Sequence, residues 1–424
     1  VLKRWLLVSI LVMSTVPLSS SSIVEAAETA DEAEVVNTFL EEVASRISRD
    51  RIGPTKASRI YATIAYGMFV ASTNSADPLL AAVDLPVAGV DDSTIDPTLA
   101  GVAAGTSIAR QMFRLKSDKA TFAEIRDELL ARLAESLSHD VIESSLAVGL
   151  RVSDDVVARA ATDGFAESQK MDAPVADEPG EWVPTQPGLQ PPIDPGWGTI
   201  RTFFSDSPQC SLPPPTRGAS LTSPYEEAAA EVAEVAADLT DEQKAIARFW
   251  ADDRGRTGTP SGHWMMIALA AAKEKNMTGP QTIRMVAHVM MTMADGFVVT
   301  WREKFRWMVE RPITVAQRTD PAWSSYLMTP AFPEYPSGHS TISRIAADII
   351  GDYVGEWSFT DPGYGLTEQS RSQFEVTPRT FVSVDEAARE VSDSRLYGGI
   401  HYREGLEQGT NLGACIAQKA MLQR

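Results

Sequence analysis

Histidine and cysteine are scarce in this chain, with five of the first and two of the second among 424 residues. Cys210 and Cys415 lie far apart and without neighbouring ligands, which argues against a thiolate metal site. A disulfide closing a very long loop and two buried free thiols both stay open. Alternating β-branched runs are nearly absent, which argues against a sheet-based fold. Cations are outnumbered, 38 Lys and Arg against 57 Asp and Glu, for a formal net charge of −19. Such a field disfavours nucleic acid, whose phosphates are bound through Lys and Arg. Beyond the N-terminus no apolar run approaches the roughly 20 residues of a membrane span, and no repeat of fixed period points to a solenoid.

What is present begins with a leader. A basic start, Val1-Leu2-Lys3-Arg4, precedes an apolar run from Trp5 to Leu18 and the small-residue stretch around Val24-Glu25-Ala26. This is the pattern of a secretory signal peptide over residues 1–26, so the mature chain is expected to be secreted or periplasmic and without an integral membrane segment. Helical periodicity recurs through the remainder, and the fold is expected to be all-α, packed as helical bundles. Helices are expected over 31–48, 56–71, 99–115, 119–136, 155–168, 223–237, 241–250, 264–274, 280–299, 340–353, 384–391 and 402–422. Between Pro174 and Pro215 stand eleven of the 26 prolines, together with Trp182 and Trp197. Proline removes a backbone donor, and tryptophans in a solvated tether would forgo burial. Residues 171–224 therefore read as an ordered, extended connection between an N-terminal helical region, 27–170, and a C-terminal one, 225–424.

Three short cassettes stand in that C-terminal region: Lys304 with Arg311-Pro312, then Pro336-Ser337-Gly338-His339, then Ser394-Arg395 with His401. Three cations, a hydroxyl, a glycine amide and two histidines form an inventory for holding a tetrahedral oxyanion and doing chemistry on it. Arginine forks across two oxygens and lysine adds a point charge. Ser337 and Gly338 precede a helical pattern, so their amides would lie at the positive end of a helix dipole. The letters Pro-Ser-Gly-His occur a second time at 260–263, but no Lys and Arg-Pro precede that copy. His339 is therefore the catalytic candidate and His263 the copy outside the cage. His139 and His288 read as buried structural residues.

The order and spacing, Lys-x6-Arg-Pro, Pro-Ser-Gly-His and Ser-Arg-x5-His, resemble the signature of the type 2 phosphatidic acid phosphatase and vanadium-dependent haloperoxidase superfamily over roughly the last 200 residues. The resemblance implies an all-α fold of that type and one of two enzymes. As a haloperoxidase, the chain would hold vanadate on His401, with Lys304, Arg311, Ser337, Gly338 and Arg395 around its oxygens. Lys304 would polarise hydrogen peroxide, His339 would act as acid and base, and a halide would be oxidised. As an acid phosphatase it would need no cofactor, His401 attacking the phosphorus of a phosphate ester and His339 protonating the leaving group. A non-catalytic phosphate-binding protein would leave both histidines without a use.

Trp301 and Phe332 match positions that line the halide side of fungal-type vanadium chloroperoxidases, which favours the haloperoxidase. The segment Phe249-Trp250-Ala251-Asp252-Asp253 is similar to a pocket-lining stretch in which Asp253, or else Asp252, would orient a cage arginine. Glu334 and the charges of Asp252-Asp253-Arg254 depart from the resemblance.

Overall fold

The computed structural model describes residues 20–84, 88–90, 94–218, 223–364 and 376–422. Residues 1–19 of the expected leader lie outside that range, and residues 20–26 open the helix Ser20–Arg49. The spine of the molecule is the 29-residue helix Gly279–Trp307. Thr278 starts it through a reciprocal capping box with Gln281, and Pro280 stands in the first turn, where a missing N–H breaks no hydrogen bond. It stops where Met308 turns left-handed, φ 48°, and donates its N–H to the Lys304 carbonyl. By length and composition this helix could cross a membrane, yet 94% of its apolar window is buried inside the protein. A helix apolar all round can equally be the core of a helical body, and here Pro54–Ser72, Thr259–Glu274 and Gly338–Val354 pack against it.

Pro97–Met112 packs on Pro54–Ser72, Lys116–Ala134 and His139–Ala161, while Gly338–Val354 packs on Val384–Tyr397 and Arg403–Leu422. One buried apolar cluster runs from Val35 to Ala420, so the two helical regions share a core. Among the described residues the strands are two antiparallel three-residue segments, Phe359–Asp361 and Arg379–Phe381, with Thr360 opposite Thr380. The fold is all-α, as the periodicity implied.

Several helix limits differ from the sequence expectation, and tertiary packing is the reason. The helix expected over 155–168 begins at His139, capped by the Ser138 side chain, and ends at Ala161. His139 is therefore an exposed first-turn residue beside Glu143 and not a buried one, whereas His288 is fully buried. The spine continues to Trp307, placing Trp301 and Lys304 on it. Val384–Tyr397 continues past 391 and carries Arg395 on its last turn. A further helix, Pro312–Thr319, follows Arg311 directly.

The proline-rich segment lies across both regions with its aromatic side chains inward: Trp182, Trp197 and Phe204 are buried. Asp295 on the spine fixes it, accepting hydrogen bonds from Phe203 N at 2.6 Å, Phe204 N at 2.9 Å and Ser207 Oγ at 2.8 Å. Burial pushes the Asp295 carboxyl up to about 7 against the pull of these donors. Of the two readings left open for the cysteines, the structure has the disulfide: Cys210 on this segment is bonded to Cys415 on the last helix.

Candidate active site

The three cassettes meet where the end of the spine, the start of Gly338–Val354 and the junction between Val384–Tyr397 and Arg403–Leu422 come together. They border a cavity of about 390 Å³ whose wall includes Trp301, Phe332, Gly338, His339, Arg395 and His401. Lys304 and Arg311 lie behind that wall, both fully buried.

His401 is held by a carboxylate. Its Nδ1 lies 2.6 Å from Glu334 Oε1, and the same oxygen accepts the Tyr402 amide at 3.0 Å. Burial pushes the Glu334 carboxyl up to about 7, with Arg311 and Lys304 pulling against it. Burial and the charges of Arg311 and Lys304 hold the imidazole well below its ordinary value. With the Nδ1 side taken by Glu334, the lone pair sits on Nε2, which accepts from Arg311 Nη1 at 3.2 Å. Gly405 makes room for this pair, since a Cβ there would collide with the Glu334 carboxylate. Sequence reading noted Glu334 as a departure and missed its role. The signal was a lone acid in an otherwise apolar, proline-rich turn two residues before the Pro-Ser-Gly-His cassette.

The cations are positioned by backbone oxygens. Arg311 donates from Nε to Phe332 O at 2.9 Å and from Nη1 to Ile400 O at 2.7 Å, while its Nη2 is buried without a partner. Arg395 donates from Nε to Ser394 Oγ at 2.9 Å and from Nη2 to Trp250 O at 2.6 Å. Burial lowers both guanidinium groups to about 10, opposed chiefly by Glu334 at Arg311 and by Asp252 at Arg395. Lys304 departs from its expected role. Its ammonium donates to the carbonyls of Pro333 at 2.9 Å, Glu334 at 2.9 Å and Pro336 at 2.6 Å, so all three hydrogens are engaged below the loop. Burial, with Arg311 close by, holds it well below the usual lysine range.

At Ser337 the amide differs from expectation, while the hydroxyl keeps its own hydrogen to donate. The amide donates to Gly405 O at 2.8 Å, and the hydroxyl accepts from Ser340 N at 3.3 Å as the helix cap. The open donors of this turn are therefore the Ser337 hydroxyl and the amides of Gly338 and His339, which have no intrahelical acceptor. A Cβ at Gly338 would meet only Trp301 at 3.7 Å and Thr300 at 3.9 Å, so the space beside it is open. His339 hydrogen-bonds the Ala251 backbone and leaves Nε2 buried without a partner. Burial and the Arg395 charge hold its pKa well below the ordinary value, so the ring is neutral and Nε2 can take up a proton.

The second Pro-Ser-Gly-His copy lies in the first turn of Thr259–Glu274; Pro260 borders the cavity, but Ser261, Gly262 and His263 do not line it. His263 is fully buried between two carboxylates, with Nδ1 3.1 Å from Asp252 and Nε2 2.7 Å from Asp361, and it stacks on Trp250 at 4.6 Å. Burial alone would lower its pKa, but the two acids outweigh it and hold the ring charged, at about 10. Asp252 thus serves His263. Asp253 does line the cavity but hydrogen-bonds neither cage arginine, and its nearest cation is Arg256 at 3.9 Å. Neither aspartate orients a guanidinium directly, because Ser394 and the Trp250 carbonyl already occupy that role. The aromatic wall is in place: Trp301 and Phe332 lie 4.9 Å apart, and Phe332 covers Lys304 at 5.1 Å and Arg311 at 5.0 Å.

A neutral imidazole with an inward lone pair, two fixed arginines, open donors at a helix start and two buried polar atoms without partners, Arg311 Nη2 and His339 Nε2, make a site of the chemistry that suits an oxyanion. Comparison with known proteins gives the family. Residues 284–423 match the model of the VCPO second helical-bundle domain. The chain is similar to a solved structure described as the first bacterial vanadium-dependent iodoperoxidase, with 30% identity and a TM-score of 0.81 over 92% of this chain and 96% of that one. A holo-type bacterial vanadium-dependent chloroperoxidase shares the fold, with 16% identity and a TM-score of 0.64 over 88% and 93%. A 217-residue stretch is 24% identical to the vanadium chloroperoxidase of Curvularia inaequalis, covering 38% of this chain and 36% of that protein. The match thus spans about a third of that curated relative. The chain belongs to the vanadium-dependent haloperoxidase family.

The residues present fit vanadate. Arg311 Nη2 and His339 Nε2 are buried without partners, the open space beside Gly338 leaves room for an oxygen, and His401 Nε2 offers a neutral nitrogen, the ligand type that suits transition metals.

Proposed function

We propose that this protein is a vanadium-dependent haloperoxidase that oxidises halide, iodide above all, with hydrogen peroxide. The observation that carries the reading is the buried Glu334–His401 pair, which points a neutral Nε2 toward Arg311. His401 would hold vanadate through Nε2, with Arg311, Arg395 and the Gly338 and His339 amides around the oxygens. When bound, vanadate supplies Lewis-acid activation of peroxide without changing oxidation state. Glu334 fixes the His401 ring, and His339 exchanges a proton at Nε2 with the reacting oxygen. Trp301 and Phe332 exclude water from the halide side.

Two considerations support iodide. The iodoperoxidase is similar over nearly the full length of both chains. In addition, Lys304 directs every ammonium hydrogen at carbonyls, which leaves less donor power for polarising peroxide and suits the most easily oxidised halide. Export fits a chain whose two cysteines are bonded to each other.

The test is to load the purified protein with orthovanadate and measure peroxide-dependent oxidation of iodide, bromide and chloride beside hydrolysis of p-nitrophenyl phosphate by the vanadate-free form. The expected order is iodide, then bromide, with chloride least. Phosphatase turnover with no halide oxidation from acidic to neutral pH would replace this reading with the acid phosphatase.

A further inference from the structure

The cavity is larger than an inorganic anion, a peroxide and a halide require, and its composition changes from the cage outward. Its inner end is the cage. Its flank is apolar, with Phe297, Ile193, Ile342, Leu327 and Met328. Its volume of about 390 Å³ falls within the roughly 300–1,000 Å³ of sites that enclose small organic ligands. At the exposed end stand Arg51, Arg254 and Arg256, all surface residues lining the same cavity. Against these three cations the cavity wall has one exposed carboxylate, Asp253, because Asp252 is buried on His263. A local positive excess on a chain of net charge −19 is selective for anions at short range, since beyond about 10 Å salt screens it and the global field opposes it. Met328, 71% exposed, marks how far the apolar flank extends toward solvent.

We propose that this cavity binds an organic acceptor of a defined class, a flat apolar ring carrying a carboxylate, with the ring on the Phe332–Met328 flank and the carboxylate at Arg254 and Arg256. The proposal rests on the haloperoxidase reading for its purpose. An activated aromatic acceptor held beside the cage would exchange a ring C–H for C–I with hypoiodous acid, releasing water. Binding itself requires no turnover, and that allows the two ideas to be separated.

The experiment is calorimetric titration of the vanadate-free protein with 2-naphthoate and with neutral 2-naphthol, each in the presence of saturating inorganic phosphate to occupy the cage. Naphthoate is expected to bind more tightly than naphthol, and its affinity should weaken as salt is raised. In the Arg254→Gln/Arg256→Gln double variant, both changes being on the surface, naphthoate affinity should fall by roughly fivefold to tenfold while naphthol is unchanged. Equal naphthoate affinity in variant and wild type, or naphthoate binding that occurs only when phosphate is omitted, would overturn the proposal, the latter by placing the carboxylate in the cage. Failure to oxidise any halide would sink the haloperoxidase reading and leave this binding result standing.

Discussion

Glu334 Oε1 and His401 Nδ1 lie 2.6 Å apart in the protein interior, and each is at most 3% exposed. This contact joins the turn before the Pro-Ser-Gly-His cassette to a residue two positions before the last helix, Arg403–Leu422. It fixes ring orientation and tautomer together, and both must be right for Nε2 to face the oxyanion.

Glu334→Ala should therefore weaken orthovanadate binding by about 10–100-fold, while Glu334→Gln, which retains an acceptor for Nδ1–H, should lose less. Equilibrium dialysis with vanadium analysis reads both. Equal affinity in all three proteins would remove Glu334 from any positioning role.

His339→Ala should reduce halide oxidation by roughly 10²–10⁴-fold, the usual span for a general acid–base group, and leave vanadate affinity within a few-fold of wild type. The cations that bind the anion would remain, each held by its own backbone or Ser394 contacts. A loss of vanadate binding as large as the loss of rate would make His339 part of the anion site and not a proton carrier.

Arg395→Lys should lower oxyanion affinity although the charge is kept. The guanidinium reaches Ser394 Oγ and Trp250 O at the same time, which a lysine ammonium cannot reproduce while also facing the cavity. Calorimetric titration with phosphate or vanadate checks this, and an unchanged isotherm would exclude Arg395 from the cage.

Stability should decline between pH 6.5 and 10. The Asp252 and Asp361 carboxylates, overcoming the lowering effect of burial, hold His263 at about 10, against an ordinary 6.5. The folded state thus keeps a proton that the unfolded chain releases. The resulting stabilisation is complete below pH 6.5 and lost as pH rises through about 10. His263→Gln should flatten this part of the profile and cost about 3–5 kcal/mol at neutral pH, since it leaves two buried carboxylates without their cation. Urea denaturation of both proteins across the range decides it, and parallel declines would assign the pH dependence to other groups.

The sequence alone determined a good part of this. Helical periodicity specifies an all-α chain because the 3.6-residue repeat is local. The family cassettes are likewise readable because each is a few adjacent letters, and they singled out His339, Arg395, His401, Trp301 and Phe332, all of which line the cavity. Tertiary structure alone decided how each polar group is satisfied. Lys304 has the residue type and spacing of an anion ligand, but the fold of residues 333–336 places three carbonyls around its ammonium. Glu334 looked out of place until the chain brought His401 to it from 67 residues away. His263 shares four letters with the catalytic cassette, and only the approach of Asp252 from one side and Asp361 from the other makes it a buried structural cation. A hydrogen bond depends on positions within a few tenths of an ångström, and those positions are set by packing between segments that are distant in sequence.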